Sequence, residues 1–223
     1  MGARNRRRSG NDRYGSRPVR RLSPHPSIII VCDDTTTAVR YFEELKRQVK
    51  ARVTVHVAPA PKHGMSAKEV VACAKAKTKA ILKGRPANKD RVWALIDLEA
   101  ESAKRTEAKQ SKDACLSSGI VQVALSDPCF EVWTLLHFID TGRPFADCTD
   151  VLKLLSQEWN KAAASSGWNQ FGKKAQIDVS HLMGDRQQQA ISRAKQHHEA
   201  VDPSSTEVYR VVEYILNVGK ESE

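Results

Sequence analysis

Residues 27–59 read SIIIVCDDTTTAVRYFEELKRQVKARVTVHVAP, and this stretch decides the fold. Ser27–Cys32 is an almost unbroken aliphatic run, the pattern of a strand buried on both faces. Val39, Phe42, Leu45 and Val49 then recur at helical spacing, with threonines 35–37 at or near the helix start, where hydroxyls satisfy open backbone N–H groups. A second strand follows in "RVTVHVAP". Strand, helix, strand in about thirty residues is the unit from which parallel sheets are built. At the joint between the first strand and its helix stand two adjacent carboxylates, Asp33 and Asp34. Like charges repel there, so either the turn faces water or something cationic belongs beside it.

The alternation continues. "SAKEVVACAKAKTKAILKG" predicts a helix from a Ser66 cap to a Gly84 stop. "RVWALID" predicts a third strand, "ESAKRTEAKQSKDACLSSG" a polar helix, and "IVQVALS" a fourth strand that ends at Asp127-Pro128. Beyond residue 128 the periodicity is helical, in "CFEVWTLLHFID", "DCTDVLKLLSQEW", "RQQQAISRAKQHHEA" and "TEVYRVVEYIL". The intervening "NKAAASSGWNQFGKKAQIDVS" predicts a loop. The expected class is α/β: a three-layer domain with a mainly parallel sheet and a helical C-terminal half. Residues 27–218 form that domain, and residues 1–26 a disordered, Arg-rich tail and linker.

Of 223 residues, 40% are hydrophobic and 6% aromatic, enough for an aliphatic core. No apolar run approaches membrane-spanning length, and no signal-peptide core follows the initial arginines. The five cysteines (32, 73, 115, 129 and 148) form no CxxC pair. They are read as reduced and scattered, the chain as cytoplasmic, and zinc as disfavoured. The net charge is +10, and residues 1–21 carry seven of those charges, with eight arginines against one aspartate. Such a segment lacks core-forming residues. It serves either as a solubility tail or, through Arg6, Arg7, Arg8, Arg17, Arg20 and Arg21, as a sequence-independent phosphate contact.

In parallel sheets, ligands bind beyond the carboxyl ends of the strands. The acids at those ends are Asp33 and Asp34 after the first strand, Asp97 and Glu99 after the third, and Asp127 after the fourth, with Glu131 a helical turn further. In an extended segment Asp97 and Glu99 would project to the same side. A hard cation such as Mg²⁺ takes oxygen ligands of this kind. Acids at strand ends also serve as caps and turn residues, and spacing alone leaves both readings open.

The stretch "SDPCFEVWTLLHF" at 126–138 resembles the Ser-Asn-Pro-x-Phe-Glu-x-Trp signature of the RloB-like family. Four other segments are similar to that family in the same order: "RPVRRLSPHPSIIIVCDD", "YFEELK", "VWALIDLE" and "DPSSTEVYRVVEYIL", so the resemblance spans about residues 17–216. It implies a Toprim-like domain binding Mg²⁺ or Mn²⁺. It also implies nuclease activity in prokaryotic restriction and antiviral (abortive-infection) loci, on DNA or RNA, beside an RloA-type ATPase partner. By position, Asp33 takes the place of the family's first glutamate, Asp97 and Glu99 that of its Asp-x-Asp, and Glu131 that of the glutamate in its Phe-Glu block. Glu131 would be a further ligand or would orient the attacking water. The tail, Lys173 and Lys174 would supply cations near the substrate phosphate.

The chain departs from the family pattern at "DDTTTA". Asp34 replaces a glycine and is itself a candidate ligand, Ala38 replaces a second glutamate, Asp33 is one methylene shorter than expected and Glu99 one longer. These changes keep open a second function, a catalytically inactive subunit that binds nucleic acid or docks on the ATPase. Primase-like nucleotidyl transfer has only the fold in its favour. Trp133, Leu136, Phe138, Tyr209 and Val212 are expected in the core. His137 is read either as an acid/base or phosphate contact or as a structural histidine, and His197 and His198 as solvent-facing. "FGKK" lacks the glycine and hydroxyl of a phosphate loop.

Overall fold

The structure is a computed structural model. It describes residues 25–33, 36–49, 53–59, 61, 64–82, 89–99, 101–116, 119, 121–172 and 177–220. The N-terminal arginines, Asp34, Gly84, Lys173 and Lys174 lie outside these residues.

Four parallel strands, β1 (Ser27–Cys32), β2 (Thr54–Pro59), β3 (Arg91–Asp97) and β4 (Val121–Ser126), lie in the order β2-β1-β3-β4. The first strand is interior: Ile30 is aligned with Val57 on one side and Trp93 on the other. That position explains why β1 is aliphatic on both faces. Ile28, Ile30 and Cys32 point into one core layer, Ile29 and Val31 into the other.

Two helices, α2 (Ala67–Leu82) and α3 (Ser102–Leu116), cover the second layer through Val70, Val71, Ala74, Ala108 and Cys115. The first layer is larger. It is closed by α1 (Thr37–Val49), α4 (Glu131–Leu136), α5 (Cys148–Ser166), α6 (Asp185–Glu199) and α7 (Val208–Lys220), with a 3-10 turn at Val179–Leu182. Helix α1 buries Ala38, Tyr41, Phe42, Leu45 and Val49, the spacing of one helical face. Three layers around an all-parallel sheet, with the C-terminal half helical, are what the alternation of patterns predicts. Trp133, Leu136, Tyr209 and Val212 are buried, and Phe138 is partly buried against the same core.

Two elements differ from the sequence reading. Helix α5 runs through residues 160–166, which were expected to be loop. Val151, Leu155, Trp159 and Ala163 are buried at four-residue intervals, so the apolar stripe continues in small residues that hydropathy under-weights. The helix stops at Gly167, whose φ of 70° suits a residue without Cβ and whose N–H donates to the Ala163 carbonyl at 2.9 Å. The other difference lies at the far edge of β4. Thr206 makes an antiparallel bridge to Ser126, Asp127 N donates to Ser205 O (2.9 Å) and Glu207 N to Leu125 O (2.8 Å). The Asp-Pro-Ser-Ser-Thr-Glu segment before α7 thus satisfies backbone groups that the edge strand would otherwise leave open.

Among the described residues no helix is long and apolar enough to cross a membrane.

Candidate functional site

The carboxyl ends of β1 and β3 are adjacent, so whatever follows them shares one rim of the sheet. Asp33 is the first residue beyond β1, and its N–H donates to the Leu95 carbonyl at 3.2 Å, which ties it to β3. Asp97 ends β3 opposite Ser126 of β4. The ladder then continues beyond the strand: Leu98 N donates to Ser126 O and Glu99 N to Pro128 O, both at 2.9 Å. Following β4 into its turn forces the backbone over, and Glu99 adopts φ 48°. A glutamate in the left-handed region is uncommon and costs free energy that the two bonds to β4 offset. The segment is therefore not extended through Glu99, contrary to the alternation argument.

Asp33, Asp97 and Glu99 nonetheless line one small cleft, together with Gly64, Met65, Ser66, Ala67, Ile96, Lys104 and Glu107. Its volume is about 30 Å³, room for a water or a single ion. The N-terminus of α2 forms one wall. Its reciprocal cap places Ser66 Oγ 3.3 Å from Glu69 N and Glu69 Oε2 2.9 Å from Ser66 N, while Lys68 N donates to Glu107 Oε1 at 3.2 Å.

Among the described residues, four carboxylates and one lysine line this cleft. Lys104 Nζ lies 2.5 Å from Glu99 Oε2 and 3.5 Å from Glu101 Oε2. The hydrogen bond to Glu99, and then the Glu99 charge, hold the lysine pKa above its usual value. Both side chains are about half exposed, so this bridge is weak and a stronger cation can displace it. The donor set is all oxygen, which suits Mg²⁺ or Mn²⁺ and not a soft metal. Among the described residues, the one trio of metal-capable side chains with ligand atoms within 4.8 Å of one another lies elsewhere, at Cys129, Glu131 and Cys148. A cation in the cleft would have to draw the carboxylates together and turn Glu99 away from Lys104.

The remaining acids part company with this group. Asp127 faces Arg105 of α3 in a two-pronged ion pair, Oδ2 to Nη1 at 2.5 Å and Oδ1 to Nη2 at 2.6 Å. Glu131 does not line the cleft. It is fully buried, and its Oε2 lies 3.3 Å from Cys148 Sγ. Cys129 and Cys148 form a disulfide with their Cα atoms 5.7 Å apart, which corrects the expectation that all five cysteines are reduced and scattered. They are 19 positions apart in sequence, and the chain returns through α4 and the segment after it to bring the start of α5 beside the end of β4. Cys32, Cys73 and Cys115 lie outside that disulfide.

His137 is a core residue. Its Nδ1 donates to the Trp133 carbonyl (2.8 Å), and its Nε2 stands 3.4 Å from the Tyr41 hydroxyl, which in turn accepts from Gln187 Nε2 (3.0 Å). Burial lowers its pKa to about 3, aided by Arg186 and Arg193 and opposed by the Trp133 carbonyl, so the ring is neutral. The histidine pair on α6 divides. His198 is partly exposed. His197, expected in solvent, is buried with a carboxylate on each ring nitrogen: Asp140 Oδ1 on Nε2 at 2.7 Å and Asp202 Oδ2 on Nδ1 at 2.6 Å. Those partners come from two loops on either side of the helix, so nothing in "QHHEA" marks the site. Glu207 was also missed: nearly buried, it accepts from Leu125 N (3.1 Å) and pairs with Lys112 of α3.

The chain belongs to the RloB-like protein family, whose family model matches residues 28–215. No curated protein and no solved structure gives a match.

Proposed function

We propose that this chain is a divalent-metal-dependent, phosphodiester-cleaving nuclease of prokaryotic antiviral defence, acting on nucleic acid beside an ATPase partner. The observation that supports the reading is that Asp33, Asp97 and Glu99 line one small cleft at the carboxyl edge of a parallel sheet. Membership of the RloB-like family supports it.

The carboxylates of Asp33, Asp97 and Glu99 would hold Mg²⁺ or Mn²⁺, with Asp34 as a fourth candidate ligand. Bound there, the ion would polarise a phosphoryl oxygen and make a water acidic enough to attack. Lys104, released from Glu99, would be left within reach of the substrate phosphate. The Arg-rich tail, with Lys173 and Lys174, would add phosphate contacts that fix affinity and not chemistry. Glu131, buried off the cleft, would act on the site through the turn that carries Pro128, whose carbonyl holds Glu99.

One observation favours a second reading, a catalytically inactive subunit for nucleic-acid binding or ATPase docking. The turn DDTTTA at residues 33–38 departs from the family pattern, with Asp34 and Ala38 in place of a glycine and a glutamate. Labelled DNA and tRNA incubated with Mg²⁺, Mn²⁺ or EDTA separate the two. Metal-dependent cutting that disappears in Asp97→Ala supports the nuclease. Salt-sensitive binding without cutting, with the ATPase present, supports the silent subunit. Repeating the binding series without residues 1–21 should flatten the salt dependence if the tail touches phosphates.

A further inference from the structure

Glu131 belongs to the most specific sequence block of the chain, yet it lies away from the acidic cleft. It is fully buried, with the sulfur of Cys148 3.3 Å from Oε2 and the disulfide to Cys129 beside it. A carboxylate in such a place needs hydrogen-bond donors. While the sulfurs are bonded to one another Cys148 has no S–H to offer, so the 3.3 Å contact is a hydrogen bond only in the dithiol form.

The two cysteines are unequal. Cys129 is buried, whereas Cys148 is half-buried and is the first residue of α5. Backbone dipoles at a helix start favour a thiolate. Asp147, which caps the helix, and Asp150 in its first turn oppose it. These effects counter one another, and Glu131 Oε2, 3.3 Å from Cys148 Sγ, stands within reach of the thiol proton.

We infer that Cys129 and Cys148 form a reversible redox pair in which Glu131 accepts the proton of Cys148. Toward the disulfide, Cys148 S–H gives its proton to Glu131 Oε2 and the thiolate attacks one sulfur of a small-molecule disulfide RSSR. An S–S bond forms to Cys148, and RS⁻ departs, taking up a proton as RSH. Cys129 then loses its proton and attacks Cys148 Sγ, expelling the second RSH. Two protein thiols are oxidised by two electrons, and one RSSR is reduced to two RSH. Excess RSH reverses each step. The pair stands independently of what the acidic cleft does.

The test uses the full chain equilibrated in defined ratios of reduced to oxidised glutathione, quenched, alkylated under denaturing conditions and mapped by mass spectrometry. Cys129 and Cys148 should lose and regain alkylation together in one two-electron transition, while Cys32, Cys73 and Cys115 stay alkylated throughout. In Glu131→Gln, folding checked by circular dichroism, closure of the disulfide at neutral pH should slow by at least about tenfold, and Glu131→Asp should recover part of the rate. If Glu131→Gln closes as fast as the native chain, Glu131 is not the acceptor. If both thiols stay alkylated in oxidised glutathione, or if the reduced chain holds one zinc per molecule that blocks closure, the redox pair is overturned.

Discussion

The molecule keeps two groups of ionisable residues at very different depths. At the rim of the sheet Asp33, Asp97, Glu99, Lys104 and Glu107 share an open cleft, where charge is cheap and partners exchange. At the two ends of α4, Glu131 and His137 are wholly enclosed, and His137 is neutral within a chain of bonds from Gln187 through Tyr41 to Trp133. The more specific motif is therefore not the more exposed one. "SDPCFEVWTLLHF" is memorable because so much of it must fit a core, while the rim acids, each commonplace, hold positions where chemistry is accessible.

The largest expected effect lies at depth. Trp133→Ala should cost about 3–5 kcal/mol, read as a lowered denaturant midpoint, because it empties the centre of the Tyr41, Phe130 and His137 cluster. Asp97→Asn at the rim should change stability by less than about 0.5 kcal/mol. Equal losses at the two sites would erase the distinction.

Between these extremes stands His197. A Cβ added at Gly142 would sit 2.1 Å from Asp202 Oδ2 and 2.7 Å from His197 Nδ1. Gly142→Ala should therefore break the carboxylate–imidazole contact and cost about 1–3 kcal/mol by thermal unfolding.

A subtler contrast is in pH. His137 has a folded pKa near 3 against an ordinary 6.5, so the unfolded chain takes up a proton that the folded one refuses. Its contribution to stability is complete above pH 6.5 and is lost as pH falls toward 3, by about 1.4 kcal/mol per pH unit within that window. The difference in stability between the native chain and His137→Gln, followed from pH 7 to 4, should shrink with that slope. A difference that stays constant would mean that the histidine is not held neutral.

How much of this was legible in the sequence depended on whether the cause was local. Four aliphatic residues before Cys32 predict an interior strand, and the Ser66 cap with Glu69 is written within four residues. Helix α5 was underestimated because alanine at 163 carries the stripe without looking apolar. The positions of Asp33, Asp97 and Glu99 at strand ends follow from the alternation of elements, but the left-handed turn at Glu99 does not, since β4 imposes it. The pairings of Cys129 with Cys148, and of His197 with Asp140 and Asp202, arise from returns of the chain that no short pattern encodes.

The nuclease reading requires the three rim carboxylates to share one cation. Titration of the full chain with Mn²⁺, followed by the electron paramagnetic resonance of the free ion, tests it most directly. One ion should bind per chain, with binding lost in Asp97→Asn and tighter in Lys104→Ala, where the competitor for Glu99 is gone. An ion bound equally well by Asp97→Asn, or no binding by the native chain, would contradict it.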